Sequence, residues 1–141
     1  MKPYTYLALG DSYTIGEQVP FAENYPNQLV QLLRKDGYDF HAPEIVARTG
    51  WTTDELQFGI NKHIFRPAYD FVTLLIGVNN QYRGRSAEEY EAHFSDLLEQ
   101  AIAFAGNKNK RVAVLSIPDW GITPFAAEKK KKKISQEIDL F

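Results

Sequence analysis

Tyr4-Thr5-Tyr6-Leu7-Ala8-Leu9-Gly10-Asp11-Ser12-Tyr13-Thr14-Ile15-Gly16 is the stretch from which the rest of the chain can be read. Its first half is β-compatible and mostly apolar, the composition of a strand buried on both faces of a parallel sheet. The run breaks at Gly10, and Asp11 and Ser12 follow at once. That order predicts a strand whose C-terminal edge carries a serine hydroxyl, facing the crevice where open α/β sheets bind ligands. Gly-Asp-Ser is also ordinary turn chemistry, so the reading rests on what the other strand ends carry.

Downstream of a loop over 17–23, Asn24 and Pro26 make a cap and a first helical turn. Leu29, Leu32 and Leu33 form an apolar stripe, and Gly37 is the stop. A short second strand is expected over 44–47. After Arg48-Thr49-Gly50-Trp51, Thr52 and Glu55 stand at capping-box spacing. The helix they open continues through Leu56, Ile60 and Ile64 with Phe65 beside them, and Pro67 ends it. Gly50 therefore precedes a helix N-terminus, where backbone N–H groups are free; it also simply permits a tight turn.

The third strand, Asp70 to Ile76, is the clearest, and it ends in Gly77-Val78-Asn79-Asn80. Paired asparagines suit turns, and they also supply uncharged amide donors for a developing oxyanion. Ser86 and Glu89 make a second capping box, before a helix carrying Tyr90, Phe94, Leu97, Leu98, Ala101 and Ala105 on one face and closed by Gly106. A fourth strand over 111–116 ends in Ile117-Pro118-Asp119-Trp120-Gly121. Thr123-Pro124 can start a last helix. Lys129 to Lys133 reads as its solvated face, and Ile134, Ile138 and Phe141 fall at helical spacing.

The alternation β-α-β-α-β-α-β-α implies a parallel sheet with helices on both faces. It brings Gly10–Ser12, Gly50, Asn79 and Pro118–Gly121 to one rim. The 141 residues, 44% hydrophobic, make one domain over 1–141 with no internal repeat or boundary. A net charge of -2 argues against nucleic acid as the main partner. The absence of cysteine excludes disulfides, thiolate metal sites and a cysteine nucleophile. No apolar run reaches membrane-spanning length and Met1-Lys2-Pro3 leads straight into a strand, so a cytoplasmic location is expected.

This constellation resembles the SGNH hydrolases, the GDSL-type esterases and lipases. The resemblance lies in Gly10-Asp11-Ser12 after a strand, Gly50 before a helix, and Gly77-Val78-Asn79-Asn80, where the family shows Gly-x-Asn-Asp and Asn80 departs. It implies a three-layer α/β/α sandwich with a flavodoxin-like parallel sheet. It also implies a serine ester hydrolase with Ser12 as nucleophile and an oxyanion hole from Ser12, Gly50 and Asn79. Asp11, Trp51, Asn80, Tyr82 and Trp120 are expected near a small-molecule ester substrate, with no metal or organic cofactor.

The family's fourth block, Asp-x-x-His, has no counterpart here. His41 precedes the second strand, His63 lies late on the helix after Gly50, and His93 sits within the helix opened by Ser86. None is expected at Ser12, and Asp119 reads as a loop residue. The resemblance also implies a fifth strand that residues 1–141 lack, so the domain is expected to be C-terminally incomplete and inactive alone. The fourth strand would then present an exposed edge suited to self-association. Two alternatives remain at this point: a non-catalytic domain binding an ester or carbohydrate, and a flavodoxin-like nucleotide module with Ser12–Gly16 as phosphate loop. Asp11 and Glu17 flank that loop with the wrong charge.

Overall fold

The structure, a computed structural model, describes residues 2–124, 126 and 130–141. β1 (Tyr6–Gly10) is buried at every position. Its side chains alternate, as a pleated strand requires. Leu7 and Leu9 enter one cluster with Val46, Val72 and Leu74, covered by α3 (Thr53–Lys62) and α5 (Ala87–Phe104) through Leu56, Ile60 and Leu97. Tyr6 and Ala8 enter another, with Phe71, under Leu29 and Val30 of α2 (Tyr25–Lys35). The result is an α/β/α sandwich, as expected.

β2 (Glu44–Ala47), β3 (Phe71–Leu75) and β4 (Val112–Val114) complete the sheet. Its order is β2-β1-β3-β4 and every pairing is parallel. Gly10 lies opposite Ala47 on one side and Leu75 on the other, so the three strands end level on one rim. Helix α6 (Lys131–Leu140) packs through Ile134 and Ile138 against Val78 of α4 (Val78–Tyr82) and against Ile117 and Trp120. Phe141 reaches the ring of Tyr90, 4.7 Å between centroids. The α2 face is less covered than the other. Cavities of about 380 and 410 Å³ open there and share Leu29 and Phe71.

Caps account for the helix starts. Asn24 accepts the N–H of Asn27 at 3.0 Å, and Ser86 that of Glu89 at 3.2 Å. The Thr52–Glu55 capping box does not form, because the Thr52 hydroxyl donates to Asp54 at 2.6 Å instead. α3 also stops short of Pro67. His63 is already extended, Ile64 is 91% exposed, and Phe65 turns inward onto Phe104, 4.3 Å between centroids. Burying Phe65 there outweighs one more turn of amphipathic helix. The last helix begins at Lys131 rather than at Thr123. The Thr123 hydroxyl closes a short 3-10 turn by donating to the Trp120 carbonyl at 2.6 Å. Lys129 lies outside the described residues.

β4 is three residues long, shorter than expected, and forms the edge of the described sheet with Val114 half exposed. Pairing of a second chain across this edge is the expected behaviour. Sedimentation velocity at high concentration should show dimer, and Val114→Lys should return monomer; a monodisperse wild-type monomer would count against it. A second expectation concerns Gly59, inside α3. A methyl there would overlap the indole of Trp51. Ala is the better helix former by about 1 kcal/mol, but overpacking costs about 1–3 kcal/mol. Gly59→Ala should therefore be neutral to destabilising in urea melts and should shift the Trp51 emission. A clear gain in stability with unaltered emission would show that Trp51 is not packed there.

Candidate active site

Three segments leave the level rim together, and each has to satisfy backbone groups that the sheet no longer bonds. After β1 the chain enters α1 (Ser12–Ile15) directly. Asp11 caps it, its Oδ1 accepting the N–H of Tyr13 at 3.0 Å. Ser12 is thus the first helical residue, half-buried, with its carbonyl bonded by Gly16. Its own N–H and hydroxyl have no hydrogen-bond partner among the described residues.

The second segment is a four-residue turn after β2. Trp51 N–H closes it onto the Arg48 carbonyl at 3.3 Å. Gly50, third in the turn, has φ +82°. A positive φ at that position marks a type II turn and selects glycine. The middle peptide of such a turn has no partner within it. Accordingly the Gly50 N–H is unbonded among the described residues.

The third segment, after β3, is the one-turn helix α4. Gly77 precedes it at φ +136°, where a Cβ would also collide with Tyr90 and Ile117. Asn79 donates from Nδ2 to the Trp51 carbonyl at 2.9 Å, which brings it to the Gly50 turn and leaves its second amide proton for another acceptor. Asn80 points elsewhere. It is wholly buried, its Oδ1 accepting the Thr53 N–H at 3.1 Å and its Nδ2 donating to the Thr53 hydroxyl at 2.9 Å. It caps α3, the task the Thr52 side chain does not perform. Asp11 is likewise fully buried. Both were expected near substrate; both lie beneath the rim because their polar atoms hold helix starts.

The expected aromatics divide. Trp51 packs over Gly59 and joins the core beside α3, with the Arg48 guanidinium 6.0 Å from its ring. Tyr82 and Trp120 come together, 5.5 Å between centroids, on the wall of a cavity of about 400 Å³ between α4 and α6. The Trp120 indole donates to Gln81 at 2.7 Å, and Gln81 donates to Glu137 at 2.7 Å.

His41 precedes β2 and His93 lies within α5, as expected, whereas His63 falls just past the end of α3 rather than on it. His63 lies 3.8 Å from Glu44 at the start of β2, and exposed His41 precedes that strand, both at the opposite rim. His93, within α5, is bonded through Nδ1 to the hydroxyl of Thr53, the first residue of α3, at 3.0 Å. Asp119 accepts the N–H of Gly121 at 2.9 Å, a loop role. Among the described residues no group of acidic, histidine or cysteine side chains could hold a metal ion, and no helix is long and apolar enough to cross a membrane. Sequence reasoning passed over Arg83. Its guanidinium donates to the Gly50 carbonyl at 2.7 Å. Its place four residues after Asn79 points to the same side only once Val78–Tyr82 is helical, which no local pattern signals.

Burial pushes the Asp11 carboxyl up to about 6, only partly offset by the Tyr13 N–H. Its second oxygen is buried without a partner among the described residues. A carboxyl raised in the folded state favours folding while neutral. That stability is present below pH about 4 and is lost as pH rises through 6, by roughly 3 kcal/mol. Asn keeps the cap and cannot ionise. Asp11→Asn should therefore stabilise the fold at pH 8 by an amount approaching that figure and contribute far less at pH 4, read by urea denaturation at both. A difference independent of pH would contradict the assignment.

No curated protein sequence matches the chain. Solved structures do. It is similar to an SGNH-hydrolase family esterase with TM-score 0.70 and 22% identity, over 99% of this chain and 68% of that one. It is also similar to a lipase/acylhydrolase from Enterococcus faecalis (TM-score 0.61, 23% identity, 96% and 70% covered). A third likeness is to an acetylxylan esterase from Geobacillus stearothermophilus (TM-score 0.65, 17% identity, 96% and 70% covered). The fold is that of SGNH hydrolases. Residues 8–140 match the model of the GDSL-like Lipase/Acylhydrolase family, nearly the whole chain, and the protein belongs to that hydrolase family.

Proposed function

We propose that Ser12 is the nucleophile of carboxylic ester hydrolysis, with the Ser12 and Gly50 N–H groups and the Asn79 side-chain amide as oxyanion donors. The observation that carries this reading is the pair of N–H groups at Ser12 and Gly50, unbonded among the described residues, on the rim that also carries the Asn79 amide. Attack of Ser12 Oγ on the carbonyl carbon forms a tetrahedral oxyanion, while the hydroxyl proton passes to a base. Collapse expels the alcohol, which takes that proton, and leaves an acyl-serine that water hydrolyses to the acid. Removing one oxyanion donor from other enzymes costs about 10²–10³ in rate. The substrates are small-molecule esters, with no metal or organic cofactor called for by the chemistry.

None of the three histidines is assigned as that base: His41 and His63 lie at the far rim, and His93 is bonded to Thr53. The same placement favours a second reading, a domain that binds an ester without turning it over. A short p-nitrophenyl ester separates them. Serine hydrolases stripped of nucleophile or base lose on the order of 10⁶ in kcat. The 141-residue chain should show little or no turnover. Extension by an Asp-x-x-His segment should restore it, and Ser12→Ala should abolish it again. An inert extended form would favour the binding domain. Robust hydrolysis by the 141-residue chain, lost in Ser12→Ala, would overturn the exclusion of these histidines.

A further inference from the structure

We propose that Arg83 is a positioning residue, which locks the Gly50 turn in the form that presents the Gly50 N–H to the rim; this rests on the reading of Gly50 as an oxyanion donor. Residues 79–85 grip residues 50–55 with one side chain after another. Arg83 donates to the Gly50 carbonyl, Asn79 to the Trp51 carbonyl, and Asn80 bonds both the N–H and the hydroxyl of Thr53. Arg85 pairs with Asp54, and Arg83 with Glu55. The segment that carries the Gly50 N–H is therefore clamped onto α4, the helix that carries Asn79. Two of the three proposed oxyanion donors become one rigid unit.

Within that unit Gly50 is the weak point. Type I and type II turns share their end residues and differ chiefly by reversal of the middle peptide. The peptide that reverses here is the one bearing the Gly50 N–H. Glycine at φ +82° suits the type II form, but its freedom does not enforce it. The closing bond, Trp51 N–H to Arg48 at 3.3 Å, is long. Arg83 supplies the missing constraint. One arm of its planar fork holds the Gly50 carbonyl and the other is held by Glu55. Arg83 pins the 50–51 peptide through the Gly50 carbonyl and Asn79 pins the 51–52 peptide through the Trp51 carbonyl, so the half of the turn from which the Gly50 N–H projects is held against α4, in part by a charge-assisted bond. Lysine, a single-point donor on a flexible stem, cannot hold both partners in that geometry.

Arg83 is suited to a clean test because its side chain is 42% exposed and its ion pair with Glu55 is a surface one, of a kind that adds little to stability. Arg83→Ala, Arg83→Lys and the control Arg85→Ala, which breaks the neighbouring pair with Asp54, can be compared in the isotopically labelled chain. The readout is the Gly50 amide by NMR: its φ-sensitive three-bond coupling, its shift and its order parameter. Arg83→Ala should lose the positive-φ coupling pattern and lower the order parameter. Arg83→Lys should fall between, and Arg85→Ala should match wild type at equal melting temperature. An unchanged Gly50 coupling and order parameter in Arg83→Ala overturns the proposal, as does an equal disturbance in Arg85→Ala, which would mean general loosening. A separate arm addresses the underlying reading. In the form extended by Asp-x-x-His, fluorophosphonate labelling of Ser12 should slow roughly ten- to hundredfold in Arg83→Ala, through the maximal rate rather than the half-saturating concentration. An unlabelled wild-type Ser12 would strike the proposed nucleophile and leave the Gly50 measurement standing by itself.

Discussion

The rim depends on β1 being bonded on both sides in a register that ends all three strands at one level. Gly10 faces Ala47 and Leu75, so the chain must turn away from the sheet at three adjacent points. Each turn exposes backbone groups that lost their ladder partners, and in a half-buried setting those groups need new ones. The polar residues at the strand ends supply them. Asp11 takes the Tyr13 N–H, Asn80 the Thr53 N–H, Asn79 the Trp51 N–H's opposite number, the carbonyl, and Asp119 the Gly121 N–H. Donors available for chemistry are then found by subtraction. Much of the polarity at the rim is used to end strands and begin helices, and the donors left over among the described residues include the Ser12 hydroxyl, the Ser12 and Gly50 N–H groups and one amide proton of Asn79.

That division explains what the sequence could and could not reveal. The strands and the helices α2 and α5 were legible, because long apolar runs bounded by glycine and by Asn24 or Ser86 have few other readings. The rim followed from topology alone, without any side-chain coordinates. The one-turn helices α1 and α4 were not legible, since four or five residues carry no period. Missing α4 had a cost at the site. Successive residues on a helix point about 100° apart, so Asn79 and Asn80, equivalent as a polar turn, part company once the turn is helical. One meets the Gly50 turn and the other is buried under α3. Arg83 came into view only with the same helix. The end of α3 was missed for a different reason, a tertiary one: the pull of Phe104 on Phe65 has no trace in local pattern.

One local rule is broken twice within four residues, on either side of Ser12. Asp11 keeps one carboxyl oxygen, and Thr14 its hydroxyl, buried without a partner among the described residues. Elsewhere buried side chains such as Asn80, Thr53 and Thr73 are bonded. Unpartnered buried polar atoms are expensive, and their concentration at one helical turn marks the place where the fold gives up stability. The physical return lies in the same burial. Asp11 holds the start of α1 from beneath, so Ser12 is set at the first helical position by a side chain that takes no part in the solvent above it. Packing that excludes water from this floor also lowers the local dielectric, which strengthens any hydrogen bond donated there to a developing negative charge. A fully solvated carboxylate in place of Asp11 would relieve the strain and admit water to the one turn where donors gain most from its absence.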